Sequence, residues 1–154
     1  MEPFIKIRFM EQKDIEQVVK IEQECFSVPW SQKSFEDALL YDTYQFLVAE
    51  DENQLLGYIG IIITGTEADI TNVAVYSQHR KKGIGQRLVS AALEQVQKQK
   101  VEVIFLEVRK SNEKAIRLYK KFQFYPISVR KNYYQSPIED AIIMSADLST
   151  RKTK

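Results

Sequence analysis

The stretch that most constrains the fold is Asn72-Val73-Ala74-Val75 running through Tyr76-Ser77-Gln78-His79 into Arg80-Lys81-Lys82-Gly83-Ile84-Gly85-Gln86-Arg87-Leu88-Val89. An apolar strand enters a short basic turn with two glycines, and an amphipathic helix follows at once. Glycine lets the backbone approach a ligand closely and take unusual dihedrals. The first amides of a helix have no intrahelical partner, and the helix dipole and the nearby cations Arg80, Lys81 and Lys82 favour an anion there. The spacing lacks the G-x-x-x-x-G-K-[ST] phosphate loop. It also misses the dinucleotide fingerprint, because Leu88 stands where a third small residue belongs. It reads as R-x-x-G-x-G over Arg80, Gly83 and Gly85, which fits a phosphorylated ligand. A solvated basic turn capping an ordinary helix is the plainer alternative.

The rest of the chain supplies a scaffold for that turn. A first strand is expected near Phe4 to Phe9, with Ile5, Ile7 and Phe9 on one face. From Lys13 the spacing is helical, with Ile15, Val18, Val19, Glu22, Cys25 and Phe26 in one stripe. Pro29-Trp30-Ser31 ends it, and Ser31 can cap a second helix carrying Phe35, Ala38 and Leu39. Strands follow at Tyr44 to Glu50, Leu55 to Thr64 and Ala68 to Val75, separated by turn residues. After the basic turn, a helix from about Gly85 to Gln99 has Leu88, Ala91, Ala92, Gln95 and Val96 inward. Val103 to Val108 is a strand apolar on both faces, as in a sheet covered on both sides. Ser111 or Asn112 opens a last helix bearing Ala115, Ile116, Tyr119 and Phe122. Phe124 to Tyr133 and Ala141 to Leu148 close the chain as an antiparallel pair around Ser136-Pro137. The order β-α-α-β-β-β-α-β-α-β-β is an α/β (α+β mixed sheet) domain, expected over residues 1–150, with a frayed basic tail at 151–154.

Lys and Arg number 22 against 21 Asp and Glu, so net charge gives no global pull toward nucleic acid or membrane. The single cysteine, Cys25, makes an intramolecular disulfide impossible, which fits a reducing compartment. In its stripe it reads as a small buried hydrophobe rather than a reactive thiol. No secretory h-region and no apolar run of about 18 residues is present, so a cytoplasmic protein is expected. His79 is a lone histidine, and no Cys/His cluster suggests a metal.

Few residues carry chemistry. Glu107 is the only charge in its strand, which is costly unless it is solvated, paired or functional. Tyr119 by itself reads as a core tyrosine with a satisfied hydroxyl, and Asn112 as a helix cap. Asp69 and Glu67 are reserve candidates for a base. Trp30 sits between two helices as a core plug or a pocket wall.

Leu106-Glu107-Val108-Arg109-Lys110-Ser111-Asn112 followed by Ala115-Ile116-Arg117-Leu118-Tyr119 resembles the signature of the GCN5-related N-acetyltransferase (GNAT) superfamily, and within it the bacterial ribosomal-protein-alanine N-acetyltransferases of the RimI type. Pro29-Trp30-Ser31, Asn72 to Val75, Arg130 to Tyr134 and Glu139 to Met144 resemble it as well, in the family's order. The resemblance implies a sheet whose fourth and fifth strands splay apart. The pantetheine arm of acetyl-CoA would lie between them, against backbone of Val73, Ala74 and Val75. The pyrophosphate would rest on Arg80, Lys81, Lys82, Gly83, Ile84, Gly85 and Gln86, with Asn112 touching the cofactor. Glu107 would be the general base and Tyr119 the general acid, and Trp30, Tyr133 and Tyr134 would wall the acceptor site. No metal is implied. His79 and Ser77 depart from the family's usual Tyr and Pro without touching the glycine pattern. The implied acceptor is a protein N-terminus, such as a ribosomal protein beginning with Ala, taken by a monomer or weak dimer with no direct nucleic-acid or membrane partner. A lysine or small-amine acetyltransferase, a non-catalytic coenzyme A-binding module and, more distantly, a dinucleotide-dependent oxidoreductase are the competing readings.

Such a transfer asks for a base for the amine, donors for the developing oxyanion, such as an amide near Val73 or Val75, and a proton for the leaving sulfur. An α-amine has a pKa near 8 and lysine near 10.4, a gap of roughly 3 kcal/mol that makes an N-terminus the easier acceptor for a carboxylate base.

Overall fold

A computed structural model describes residues 5–52, 54–80 and 82–149. Seven strands form one sheet: β1 (Lys6–Phe9), β2 (Tyr44–Asp51), β3 (Gln54–Thr64), β4 (Glu67–Val75), β5 (Val103–Arg109), β6 (Tyr125–Tyr134) and β7 (Glu139–Asp147). Their spatial order is β1-β2-β3-β4-β5-β7-β6. Four helices accompany them: α1 (Ile15–Cys25), α2 (Gln32–Ala38), α3 (Ile84–Lys98) and α4 (Glu113–Lys121). The mixed sheet and the element order are those expected. Strand pairs joined by short turns are antiparallel, while β4 and β5, joined through α3, are parallel. Phe4, Lys81 and the tail at 151–154 lie outside the described residues. None of the described helices is long and apolar enough to cross a membrane.

Each face of the sheet has its own core. Ile84, Leu88, Val89, Ala92, Leu93 and Val96 recur at helical spacing and bury α3 against Leu47, Ile59, Ile61, Ile104 and Leu106. Val89 and Leu93 belong to that inner face although the expected stripe omitted them. On the opposite face, α1 and α2 bury Val18, Ile21 and Phe35 against Phe46, Val48 and Tyr58. Ser31 caps α2 as expected, its Oγ accepting from the Ser34 amide at 3.1 Å. Phe9, expected on one face with Ile5 and Ile7, is half exposed.

A bulge in β4 sets up everything downstream. Ile61 pairs with Ile70 and the next residue back, Gly60, pairs with Asn72, so Thr71 is the extra residue. One inserted residue turns the following side chains over. Ala68 and Ile70 face α3, whereas Asn72 and Ala74 face α1. The parallel pairing of β4 with β5 covers only Glu67–Ile70 against Val103–Leu106. Beyond it β4 stays with β3, and β5 continues with β7 to Arg109. A wedge therefore opens between residues 71–75 and 107–109.

The expectation that β5 is covered on both sides holds for one face only. Ile104, Leu106 and Val108 are buried under α3 and α4, but Val103 and Phe105 are only partly buried and Glu107 is exposed. The reason is the reach of the other layer. α1 and α2 pack over β2, β3 and β4 and leave that face of β5 uncovered at Glu107.

Candidate active site

Glu107 lies on this open face at the mouth of the wedge. It pairs across the ladder with Ile143 and shares its face with Phe105, whose parallel partner is Asp69. The Asp69 carboxyl is pushed up by burial and by the nearby Glu107 and Glu67 carboxylates. Arg130 Nη1 stands 3.4 Å from Glu107 Oε1. The Tyr133 hydroxyl donates to Glu107, and that bond raises the Tyr133 pKa because ionising the phenol would end it.

The late hairpin is brought to Glu107 by Arg109. Its guanidinium donates to the Pro137 carbonyl at 3.0 Å, the Gln135 carbonyl at 3.0 Å and Glu139 Oε1 at 3.2 Å. Glu139 Oε2 accepts from the Ser111 amide at 2.6 Å. Arg109 also lies 4.4 Å from the centre of the Tyr134 ring, and Arg130 lies 5.0 Å from that of Tyr133. The two tyrosines meet edge to face at 5.1 Å. Burial and Glu107 push the Tyr134 phenol up to about 12. Arg109 and Arg130 were quoted in the sequence signature, but nothing in the spacing alone gave them these partners.

Tyr119 is buried on the α4 side of the wedge, edge to face with Phe124 at 5.7 Å. Burial, with a contribution from Tyr134, pushes its pKa well above that of a free phenol. It keeps its proton at neutral pH, as a proton donor must. Asn112 is the cap of α4, with Oδ1 accepting from the Ala115 amide at 3.2 Å.

The basic turn has the local geometry of an anion site. Gly83 precedes α3 with φ +75°, a left-handed conformation suited to glycine, and open space lies where its side chain would be. No side chain caps α3, and the first helical bond runs from the Arg87 amide to the Gly83 carbonyl. The amides of Ile84, Gly85 and Gln86 precede that bond. Lys82 is exposed beside them. Arg80 turns the other way: Nε donates to the Val75 carbonyl at 3.1 Å and Nη2 to Cys25 Sγ at 3.3 Å. Cys25 is half-buried, and desolvation raises its thiol pKa, so it is not an activated nucleophile.

Trp30 is partly buried in an aromatic cluster, 5.2 Å from Phe35, 6.1 Å from Tyr44 and 6.2 Å from Phe46. It stands in the α1–α2 layer, and Tyr133 and Tyr134 stand on the late hairpin. The helical stripe from Ile15 to Phe26 includes one further polar group, Glu22, but the spacing does not show its partners. Glu22 is 1% exposed and accepts from the Tyr58 hydroxyl, from Asn72 Nδ2 and from the Trp30 amide.

A wedge between parallel strands, uncapped amides at its mouth and a carboxylate on its open side suit a ligand with an extended arm and a phosphorylated end. Residues 15–124 match the model of the Acetyltransferase (GNAT) family. The chain is a GNAT acetyltransferase.

Among its relatives is a Bacillus subtilis protein provisionally named a ribosomal protein bS18-alanine N-acetyltransferase. The two are 41% identical over 139 residues, 90% of this chain and 92% of the relative. The crystal structure of the ribosomal-protein-S18-alanine N-acetyltransferase from Escherichia coli superposes with a TM-score of 0.89 at 29% identity, over 97% of each chain. Arabidopsis thaliana NAA60 in complex with acetyl-CoA shares the fold, with a TM-score of 0.86 at 20% identity over 94% of this chain and 99% of that one. The GNAT chain described here thus has the expected family and the expected RimI-like relatives.

Proposed function

We propose that this acetyltransferase moves the acetyl group of acetyl-CoA onto the α-amino group of a protein N-terminus, with a ribosomal protein beginning with Ala as its natural acceptor. The observation that carries the reading is the position of Glu107, a carboxylate on the uncovered face where β4 and β5 part. The names of the bS18-alanine relatives support the acceptor class.

The residues present fit acetyl-CoA. The edge of β4 from residue 71 to 75 is free of β5, which leaves the backbone of Val73, Ala74 and Val75 for an amide-bearing arm. The uncapped amides from Ile84 to Gln86, open space at Gly83, and the cationic residues Lys81 and Lys82 suit a pyrophosphate. Arg80, now bonded to the Val75 carbonyl and Cys25, and Asn112, now the cap of α4, would have to turn to touch the cofactor. Acetyl-CoA supplies an activated acetyl thioester.

The chain's own residues then manage protons and position. Glu107 takes the proton from the acceptor's ammonium, directly or through one water, and Arg130 and Tyr133 orient its carboxylate. Tyr119, held protonated by burial, gives its hydroxyl proton to the departing sulfur. Trp30 on one side and Tyr133 and Tyr134 on the other wall the acceptor's path. Transfer is direct, and Cys25 has no part in it. On this reading the reaction takes place in the cytoplasm.

The test is mass spectrometry of short peptides incubated with the protein and acetyl-CoA. One set begins with free Ala, Ser, Thr or Met, and a matched set has a blocked N-terminus and one internal Lys. Mass gain on free N-termini alone supports the proposal. Gain on Lys alone assigns a lysine acetyltransferase. Cofactor binding without turnover assigns a non-catalytic module.

A further inference from the structure

Three residues in the last turn of α1 grip the outgoing half of β4 and the turn that follows it. Glu22 accepts from Asn72 Nδ2 at 3.3–3.4 Å. Glu24 accepts from the Ser77 amide at 2.6 Å, and Cys25 Sγ donates to the Val75 carbonyl at 3.4 Å. Of these, Glu22 alone is wholly buried, and it reaches three elements at once. Tyr58 belongs to β3 and Asn72 to β4, while Trp30 lies in the loop between α1 and α2. Among the described residues no cation pairs with Glu22. A buried carboxyl that accepts from three donors cannot be lost without leaving them unpaired, so it fixes the three segments that carry them relative to one another.

What Glu22 holds suggests its use. Its 2.9 Å bond from the Trp30 amide is the one hydrogen bond that fastens residues 27–30 among the described residues. That loop carries the exposed Val28 and ends at Trp30. Asn72 is the residue just past the β4 bulge, where the wedge opens. Its side-chain amide is committed to Glu22, and its Oδ1, on a residue 7% exposed, has no hydrogen-bond donor. Asn72 thus ties the point where the wedge opens to the α1–α2 layer.

We propose that Glu22 is a positioning residue for the acceptor, locking the α1–α2 loop to β4 at Asn72 so that the acceptor wall and the cofactor strand keep one fixed spacing. This rests on the N-terminal acetylation reading for the identity of the acceptor, but the loop it acts on is the same for any amine. Glu22 touches no reacting atom. Its loss loosens the acceptor while leaving the acetyl-CoA site and Glu107 in place.

The experiment compares wild type, Glu22→Gln and the double variant Glu22→Gln with Asn72→Asp. Peptide KM, kcat, acetyl-CoA Kd by calorimetry and Tm are read for each. The amide introduced by Glu22→Gln turns an N–H toward one of three donors, so the single variant should raise peptide KM about 10-fold, the worth of one buried hydrogen bond, with kcat and acetyl-CoA Kd within about 2-fold. The carboxylate introduced by Asn72→Asp can accept that N–H, so the double variant should bring peptide KM back toward wild type. An unchanged peptide KM in Glu22→Gln overturns the proposal. So does a parallel loss of KM, kcat and acetyl-CoA affinity, or a rescue of Tm without a rescue of KM. If Glu22→Gln does not fold, Tyr58→Phe carries the test. A peptide KM raised about 3-fold with acetyl-CoA Kd unchanged supports the proposal, and no change in KM overturns it. Should the wild type acetylate only Lys peptides, the N-terminal reading fails, and the same ratios taken on the Lys peptide still decide the role of Glu22.

Discussion

Gly57 lies on β3 beside β4, the strand proposed to hold the acetyl-CoA arm, and Gly57→Ala should disable the enzyme by moving that strand. A Cβ at position 57 would stand 2.6 Å from the Ala74 carbonyl oxygen and 3.2 Å from Val75 Cα. Both are backbone atoms, so no side chain can swing aside. Restoring an ordinary van der Waals contact asks β4 to withdraw by roughly 0.8 Å. Overpacking of this kind costs about 1–3 kcal/mol, offset by about 0.5–1 kcal/mol because Ala has less freedom than Gly to lose on folding. The net loss of about 1–2 kcal/mol lowers the urea midpoint by roughly 0.5–1 M, for a slope near 2 kcal/mol/M. The single tryptophan, Trp30, reports that transition. Acetyl transfer should suffer far more, because a shift near 1 Å in a positioning element costs up to about 100-fold. Gly65→Ala is the control. Gly65 has φ +62° and open space around it, so Ala there strains its own turn by about 1–2 kcal/mol without touching β4. Equal activity losses in the two variants, or full activity in Gly57→Ala, would refute the reasoning.

Arg8 donates to Asp14 at 2.7 and 2.9 Å and to Glu50 at 3.1 and 3.2 Å, and these bonds hold both carboxyls below their usual range. A depressed folded-state pKa means that this stability is present above about pH 4 and is lost as pH falls through the lower, folded value. Arg8→Met leaves Asp14, whose side chain is 3% exposed, without its cation, so it should cost about 3–5 kcal/mol at pH 7, with the deficit shrinking toward pH 3 in denaturant titrations. Asn112→Ala removes the α4 cap and should cost about 1 kcal/mol in a melt, and a weaker acetyl-CoA Kd by calorimetry would add the cofactor contact to its role. Tyr119→Phe keeps the ring against Phe124, so stability should hold while kcat falls by at least about 100-fold; an unchanged kcat would leave Tyr119 as packing alone.

Sequence periodicity placed elements that bury one well-defined face, as α3 does. It could not see the bulge at Thr71, since a Thr-Asn pair inside a strand carries no bulge signal of its own and only the pairing reveals the inserted residue. The reading of β5 as covered on both sides failed for a related reason. Phe105 and Val103 are apolar, but what decides their burial is how far α1 and α2 reach across the sheet. Glu107 was legible as a lone charge in an apolar strand, and the glycine turn was legible from its spacing. Glu22 was legible as a carboxylate in the apolar stripe of α1, but its three partners, 8, 36 and 50 residues away, are brought to it only by the fold. Arg109 and Arg130 were hidden likewise, since their roles are contacts across the late hairpin.

The most direct test of the central claim is the rate of acetyl transfer to an Ala-initiated peptide by wild type and Glu107→Gln between about pH 6 and 10, a range that brackets the α-amine pKa. A general base contributes about 100- to 10,000-fold, and near pH 7 only about a tenth of an α-amine with pKa near 8 is already neutral. With Glu107 as the base, Glu107→Gln should lose at least about 100-fold at pH 7, a loss that narrows as the amine loses its own proton at high pH, with acetyl-CoA Kd unchanged. A variant as fast as wild type at pH 7, or a loss that stays constant across the range, would contradict Glu107 as the base.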